Sequence, residues 1–289
     1  MRFSLIGPGN MGKRYIHTLA TLGQPLSFIC SRHIPQFNFG EGTQFVQRYQ
    51  EAILSPLTDG VIIATPPSTH YEIAKFALTH NKHVICEKPF VFCPQQAREL
   101  RALAHERRRN FIVDFIHLWQ PPYLQFKQYQ SGNTKFRDIT LIGKNYGPFR
   151  RDYSALWDYA PHDIALALDI MGEYPYSIEI FRTIAHRDDR NAGLYEIVLK
   201  FDNGIAHIET GNLSPTRRRF YEIRLLENYQ GATNEAGRFS FEDERQFAPL
   251  KIMLARFIEK CDNKERWDNL DLSAQVTDVM VLLEKITQK

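Results

Sequence analysis

The sequence lacks the features that mark membrane, nucleic-acid-binding and disulfide-rich proteins. No apolar run approaches the roughly 18 residues that span a bilayer, so we expect no membrane partner. The 36 basic residues are nearly balanced by 33 acidic ones, and a net charge of +3 gives no reason to expect a nucleic-acid partner. The four cysteines show no CxxC spacing, so we expect reduced thiols and no metal site.

The first residues, MRFSLIG, already follow the pattern of a β-strand. This pattern leaves no room for a signal peptide, and we therefore expect a cytoplasmic protein. A length of 289 residues predicts two domains at about 150 residues each, and a hydrophobic content of 43% is enough to build buried cores.

Short apolar runs alternate with amphipathic stretches through the first 116 residues. The predicted strands are RFSLIG, LSFICS, TQFV, GVIIAT, HVICE and FIVDFI. A helical face begins at Met11, and further helices are predicted near residues 49–54, 69–81 and 94–109, the last closed by three arginines that complement the helix dipole. Because parallel strands need long crossover connections, this half predicts an α/β Rossmann fold with a doubly wound parallel sheet.

The pattern changes after about residue 120 to longer, partly alternating strands. These are DITLIGKN, SIEIFRTIAH, YEIVLKF, IAHIET and FYEIRLLEN, and the turn signal Asp202-Asn203-Gly204 predicts a hairpin between the third and fourth. Such strands predict an α+β domain with an open, mostly antiparallel sheet, followed by two closing helices. We expect a dinucleotide-binding domain at residues 1–118 and a domain for substrate and oligomerisation at 119–289. The closing helices belong to the second domain or pack back on the first.

A glycine-rich loop lies where the first strand meets the first helix. It fits G-x-G-x-x-G and predicts binding of a dinucleotide, whose pyrophosphate rests on the helix N-terminus. A turn that only packs helix on strand is the alternative. The six residues of this predicted cofactor loop are Gly7, Pro8, Gly9, Asn10, Met11 and Gly12.

The end of the second strand predicts which dinucleotide binds. Proteins that bind NAD commonly place an acidic residue there for the ribose 2′-hydroxyl, whereas this chain has Ser31 and Arg32. A hydroxyl followed by a guanidinium suits a 2′-phosphate, so NADP is favoured over NAD. If Arg32 only stacks on the adenine, either cofactor is usable.

Three further motifs resemble the Gfo/Idh/MocA family of nicotinamide-dependent oxidoreductases over nearly the whole chain. The first is TPPSTH after the fourth strand, the second is EKP after the fifth, and the third is the D-x-x-x-H spacing of Asp158 and His162. The resemblance implies that a cofactor crevice is lined by one set of residues, namely Thr65, Pro66, Pro67, His70, Glu87 and Lys88. It also implies that Lys88 reaches the nicotinamide and the reacting oxygen. A surface lysine is the alternative.

The segment ALWDYAPHDIAL holds the other predicted catalytic residues. If Pro161 is the first helical residue, His162 lies in the first turn, where the helix dipole keeps it neutral and able to accept a proton. Asp158 then orients the imidazole, whereas Asp163 is assigned to the first turn with no catalytic role. The alternatives are a capped core histidine and an aspartate that only caps the helix.

The segment from Tyr146 to Gly172 resembles one branch of this family more narrowly. That branch oxidises nucleotide-activated sugars, as UDP-N-acetylglucosamine 3-dehydrogenases do. The resemblance implies a sugar or sugar-nucleotide substrate. Candidate substrate residues are His117, Arg151 and Tyr153, with Arg150 beside them. Trp119 and Tyr123 either border the substrate cleft or belong to an interface or the core. A dinucleotide-binding sensor without turnover and a reductase of a non-sugar ketone or imine remain alternatives. By analogy with the family, we expect a homo-oligomer, either a dimer or a tetramer.

Overall fold

The computed structural model describes residues 1–130, 136–184, 191–229, 232–242 and 248–288. The chain divides into two compact units. Unit 1 comprises residues 1–116 and 248–274, and unit 2 comprises residues 117–247 and 275–289.

Unit 1 is built on a parallel six-stranded sheet in the order β3-β2-β1-β4-β5-β6. The central strands are buried on both faces because helices cover the sheet on each side, which explains their continuous apolar runs. This order confirms the predicted doubly wound fold. The strands are β1 Phe3–Ile6, β2 Leu26–Cys30, β3 Gln44–Val46, β4 Gly60–Ile63, β5 His83–Cys86 and β6 Phe111–Val113.

The crossover helices of unit 1 lie close to the predicted segments. They are α1 Asn10–Thr21, α2 Tyr49–Leu54, α3 His70–Thr79 and α4 Pro94–Glu106, with a 3-10 turn at Pro67–Thr69. Helix α4 ends before the three arginines at 107–109, which lie just beyond its C-terminus, and Arg108 takes a positive φ of 52°. Helix α7 Pro249–Asp262 packs on α1.

Unit 2 contains a second six-stranded sheet, in the order β12-β11-β7-β10-β9-β8. All pairs are antiparallel except β10 with β7, so the prediction of a mostly antiparallel sheet is confirmed. The hairpin predicted at Asp202-Asn203-Gly204 joins β9 to β10. The strands are β7 Phe136–Tyr146, β8 Ser177–Ile184, β9 Leu194–Phe201, β10 Gly204–Gly211, β11 Leu213–Tyr229 and β12 Ala232–Glu242.

Unit 2 differs from the prediction in the number of its elements and in some of their bounds. Strand β12 and helix α5 Pro121–Gln130 were not predicted at all. The predicted strand SIEIFRTIAH is observed as far as Ile184, and its last two residues lie outside the described part of the chain. Strand β11 begins at Leu213, earlier than the predicted start at Phe220.

Helix α6 Ala155–Met171 contacts β7, β9 and β10, and it contains the predicted catalytic segment. All of its residues are buried except Tyr159 and Asp169. The prediction that Pro161 begins this helix is wrong, because the helix starts six residues earlier and Pro161 lies inside it. Ser154 is the N-cap, and its hydroxyl accepts a hydrogen bond from the Trp157 amide.

Helix α8 Leu270–Thr287 is the last element of the chain. Across the described ranges, no helix combines the length and apolar character that crossing a bilayer requires. The same residues contain no cluster of three or more side chains suited to hold a metal ion.

Candidate functional site

The glycine loop of unit 1 has a shape that only glycine permits at two positions. Gly7 has a φ of +93°, and a Cβ there would lie 2.6 Å from the carbonyl oxygen of Ala64. At Gly12, a Cβ would lie 2.4 Å from the carbonyl oxygen of Gly7. The loop therefore packs tightly against the end of β4 and into the first turn of α1.

The space beside the N-terminus of α1 is open at Gly9. Its N-cap is Gly9, which has no side chain to cap the helix, and a Cβ at this position would meet nothing within 4 Å. The first turn holds no acidic residue. Pro8 lies between the two glycines, and Asn10 and Met11 open the helix. The backbone N–H groups of this first turn suit a pyrophosphate.

Ser31 and Arg32 lie directly after β2. The Ser31 hydroxyl donates to the carbonyl oxygen of His33, and the carbonyl of Arg32 accepts a hydrogen bond of 3.2 Å from Gln47. These bonds shape the backbone of the turn. The side chain of Arg32 is exposed.

The TPPSTH segment forms a turn that is held by hydrogen bonds of the His70 ring. Its ring nitrogens lie 2.9 Å from the carbonyl oxygen of Thr65 and 3.0 Å from that of Pro89. Burial lowers the pKa of His70, whose side chain has no exposed surface. His70 therefore joins the loops after β4 and β5, while Pro67 is buried with it and Pro66 is exposed.

Glu87 and Lys88 follow β5, and two residues missed by the sequence analysis lie beside Glu87. The Tyr15 hydroxyl, from α1, donates a 2.6 Å hydrogen bond to Asp114, which follows β6. Glu87, Asp114 and Tyr15 are all buried, whereas Lys88 is half-buried. The position of Asp114 directly after a buried strand, next to the strand that Glu87 follows, was a signal available in the sequence.

In unit 2, Asp158 lies in the first turn of α6 and is 5% exposed. Arg150 Nε lies 3.2 Å from one carboxylate oxygen, and the Tyr153 hydroxyl lies 3.4 Å from the other. Burial and the charge of Asp158 raise the pKa of Tyr153. Arg150 and Tyr153, both expected near the substrate, thus contact the predicted catalytic carboxylate, while Arg151 is exposed on the same loop.

His162 is the eighth residue of α6, so the prediction that it lies in the first turn is wrong. The dipole argument for its neutral form therefore does not apply. Because residues four apart share a helix face, His162 follows Asp158 by one turn. Its ring packs edge-on against His117, with 4.7 Å between ring centroids, and His117 lies 5.7 Å from the ring of Tyr221. The structure thus brings His117 to His162.

Asp163 was placed in the first turn on the helix dipole, and this prediction is also wrong. It is fully buried in the middle of α6. Its carboxylate forms an ion pair of 2.6 Å with Arg219 on β11 and accepts a 2.9 Å hydrogen bond from Thr210 on β10. A Cβ at Gly143 on β7 would lie 2.0 Å from the Arg219 guanidinium. Asp163 therefore fixes the helix to β10 and β11.

The two aromatic residues expected at a cleft border or in the core belong to the core. Trp119 and Tyr123 are buried. Tyr123 donates a hydrogen bond to Asp169 on α6, so it holds α5 against that helix.

Comparison with known proteins agrees with this geometry. Residues 1–115 match the Gfo/Idh/MocA model, an oxidoreductase family with an NAD-binding Rossmann fold. Residues 1–115 are therefore a Rossmann domain of the Gfo/Idh/MocA oxidoreductase type. The uncharacterized oxidoreductase YdgJ of Escherichia coli is 30% identical over 60% of this chain and 54% of its own length. The chain thus spans about half the length of that relative.

Two further proteins cover more of the chain. The UDP-N-acetylglucosamine 3-dehydrogenase of Acidithiobacillus ferrooxidans is 24% identical over 90% of this chain and 87% of its own length. Its solved structure matches with a TM-score of 0.81 at 18% identity, covering 98% of this chain and 96% of that one. GenD2 of gentamicin A biosynthesis, solved with NAD, gives a TM-score of 0.82 at 16% identity over 100% and 94% of the two chains.

These structural matches show the fold of the chain. The family match and the dehydrogenases among its relatives support an NAD(P)-dependent dehydrogenase or reductase.

Proposed function

We propose that the protein is an NAD(P)-dependent oxidoreductase that transfers hydride between nicotinamide and a sugar or sugar-nucleotide hydroxyl or ketone. The main support for this proposal is the glycine loop. Gly7 and Gly12 pack closely against backbone, and the space at Gly9 leaves the N-terminus of α1 accessible to a pyrophosphate. The 3-dehydrogenase of Acidithiobacillus ferrooxidans, which aligns over 90% of this chain, supports the sugar-nucleotide substrate.

The chain supplies proton handling and charge, whereas the nicotinamide, when bound, supplies the hydride chemistry. We assign His162 as the group that takes the hydroxyl proton during oxidation and returns it during reduction. The Lys88 ammonium stabilises the negative charge that develops on the reacting oxygen. Asp158, held by Arg150 and Tyr153, keeps a negative charge one helical turn from His162.

Activity is tested by following the reduced-nicotinamide absorbance with UDP-N-acetylglucosamine and either NAD or NADP. The expected result is turnover in the wild type and loss of the hydride step in His162→Ala and Lys88→Ala. Asp152→Asn, an exposed carboxylate close to the same helix, is the matched control and should keep wild-type turnover. Near-normal turnover in both site variants would reject the mechanism. Tight binding without turnover on any sugar, ketone or imine would favour a sensor.

The proposed cofactor preference is NADP, and it rests on the exposed Arg32 and the lack of a carboxylate after β2. Charge-assisted hydrogen bonds contribute about 1.5–3 kcal/mol, so Arg32→Ala should weaken NADPH binding about tenfold or more relative to NADH. Fluorescence titration measures both affinities. Arg48→Ala, another exposed arginine of unit 1, should leave the ratio unchanged. An unchanged ratio in Arg32→Ala contradicts the preference.

Three proposals concern the whole molecule. The cofactor domain is residues 1–118 and the substrate domain residues 119–289, with helix α7 packing back on the first domain, and limited proteolysis tests the boundary near residue 118. A cytoplasmic location fits the four free cysteines, and cell fractionation tests it. The exposed aromatic residues Phe181 and Tyr146 in the second sheet support a homo-oligomer, which sedimentation would reveal as a dimer or tetramer rather than a monomer.

A further inference from the structure

Two buried carboxyl groups face each other at the carboxyl ends of neighbouring strands. Cys86 of β5 and Val113 of β6 are partners in the parallel ladder, and Glu87 and Asp114 are the next residues along. The Asp114 amide donates a 2.8 Å hydrogen bond to the carbonyl of Cys86, which continues the ladder. Since side chains at matching positions leave a sheet on the same face, both carboxyl groups enter one small space. Glu87 is 7% exposed and Asp114 is 1% exposed.

Hydrogen bonding leaves part of this pair unsatisfied. The Tyr15 hydroxyl can donate only one proton, and it bonds Asp114 Oδ2 at 2.6 Å. Within the described residues, Glu87 Oε1 and Asp114 Oδ1 are buried and have no hydrogen-bond partner. Two ionised carboxylates would therefore face each other with few donors, an arrangement that is strongly unfavourable.

The surrounding charges balance one carboxylate and not two. Lys88 is the cation that acts on both members of the pair, and Arg14 of α1 adds a smaller effect on Asp114. The other titratable neighbours are Tyr15 and the buried Cys86 thiol, whose pKa is raised by burial and by Glu87. Burial raises the pKa of both carboxyl groups, and the charge of Asp114 raises that of Glu87 further.

We propose that Glu87 and Asp114 share one proton at neutral pH and act as a buried acid pair whose single negative charge positions the Lys88 ammonium. The shared proton gives one carboxyl an O–H donor for the other, which removes the repulsion between them. The pair is a positioning device. Its part in turnover rests on the role proposed for Lys88, whereas the sharing of the proton does not.

Sharing has a signature that two independent acids would not give. In wild-type protein with carbon-13-labelled carboxyl groups, magnetic resonance should show one protonated side-chain carboxyl at neutral pH. Glu87→Gln and Asp114→Asn should each abolish it, because the remaining acid then has Lys88 as its partner and ionises. Glu72→Gln, which changes an exposed acid of α3, should leave it in place. Absence of the signal in the wild type, or its survival in either site variant, would overturn the proposal.

Tyr15→Phe provides a second measurement on a variant that keeps both acids. The Tyr15 hydroxyl stabilises the ionised pair and lowers the pKa of both carboxyl groups. Its loss should raise the titration midpoint of the pair by about one to two pH units, the shift that corresponds to losing a hydrogen bond to a charged group. An unchanged or lowered midpoint would contradict the arrangement.

Turnover assays then test the link to Lys88. Asp114→Asn should lower kcat and change its pH profile while the affinity for NADPH stays within a factor of about two. If the carboxyl signal behaves as expected and turnover is insensitive to the variant, the acid pair stands and its positioning role fails. If no substrate is turned over by the wild type, the proposed function fails, and the resonance experiment still decides the shared proton.

Discussion

Changing Asp163 to leucine would leave the Arg219 guanidinium without its ion-pair partner beneath α6. The Arg219 side chain is 13% exposed and that of Asp163 is fully buried. Breaking a buried ion pair by removing one partner costs about 3–5 kcal/mol, because the other charge stays buried without compensation. We therefore expect Asp163→Leu and Arg219→Met each to lose about this much stability.

The expected loss is large enough for thermal and urea unfolding to measure. For a chain of this size, about 3–5 kcal/mol corresponds to a fall in Tm of roughly 6–20 °C. Tryptophan fluorescence suits the assay, since Trp157 is buried in the same helix. Glu196→Gln, an exposed acid on β9 of the same unit, is the matched control and should leave Tm unchanged.

Two further variants separate the ion pair from general packing. The double variant Asp163→Leu with Arg219→Met replaces both charges by apolar groups and should recover most of the loss. Gly143→Ala should mimic the single variants, because its Cβ would lie 2.0 Å from the Arg219 guanidinium and 2.4 Å from the Asp163 carboxylate. If the double variant loses as much as the two single losses added together, the charges do not act as a pair and this reasoning is refuted.

Three smaller predictions concern other parts of the fold. The backbone N–H of Asn110 donates a hydrogen bond to His83, and burial lowers the pKa of His83 to about 4. Since the unfolded chain, with a histidine pKa of about 6.5, then binds more protons, stability should fall by about 2–3 kcal/mol from pH 6.5 to pH 4, and His83→Asn should flatten this slope in urea unfolding. Gly12→Ala should cost about 1–3 kcal/mol in the same assay, because its Cβ would lie 2.4 Å from the carbonyl oxygen of Gly7. Ser154→Ala should cost about 1 kcal/mol through loss of the α6 cap.

Each of these changes has a control within the chain. His17→Asn alters an exposed histidine and should keep the wild-type pH slope. Gly9→Ala places its Cβ in open space and should be neutral for stability, so equal losses at Gly9 and Gly12 would argue against a steric cause. Ser154→Asp should retain the cap, and a loss equal to that of Ser154→Ala would speak against capping.

The sequence predicted unit 1 well because its signals are local. The short apolar runs are strands, the central ones buried on both faces, and the predicted amphipathic stretches are helices that cover the sheet. The glycine loop could be placed without the structure, because its motif follows the first apolar run directly and precedes the first amphipathic stretch. Glu87 and Asp114 each follow a strand that the sequence predicted, but recognising them as a pair needs the register of β5 with β6.

Unit 2 depends on contacts that sequence periodicity does not report. Strand β12 pairs with β11, and its sequence ATNEAGRFSFE has only a weak apolar alternation. The role of Asp163 needs Thr210 and Arg219, which lie 47 and 56 residues away along the chain. Arg219 belongs to an arginine run whose other two members are exposed, so composition gave no sign that it is largely buried.

Pro161 shows how tertiary packing reverses a local signal and changes the electrostatics of the site. A proline inside a helix costs about 3 kcal/mol, so the sequence favoured a helix start there. Ser154 supplies the cap seven residues before Pro161, and burial of nearly the whole helix offsets the cost of the proline. The positive end of the dipole therefore acts on Asp158 and stabilises its carboxylate, as Arg150 also does. The position of His162 is set by the helix face that it shares with Asp158 and by packing against His117. The helix terminus, which lies one turn or more away, does not determine it.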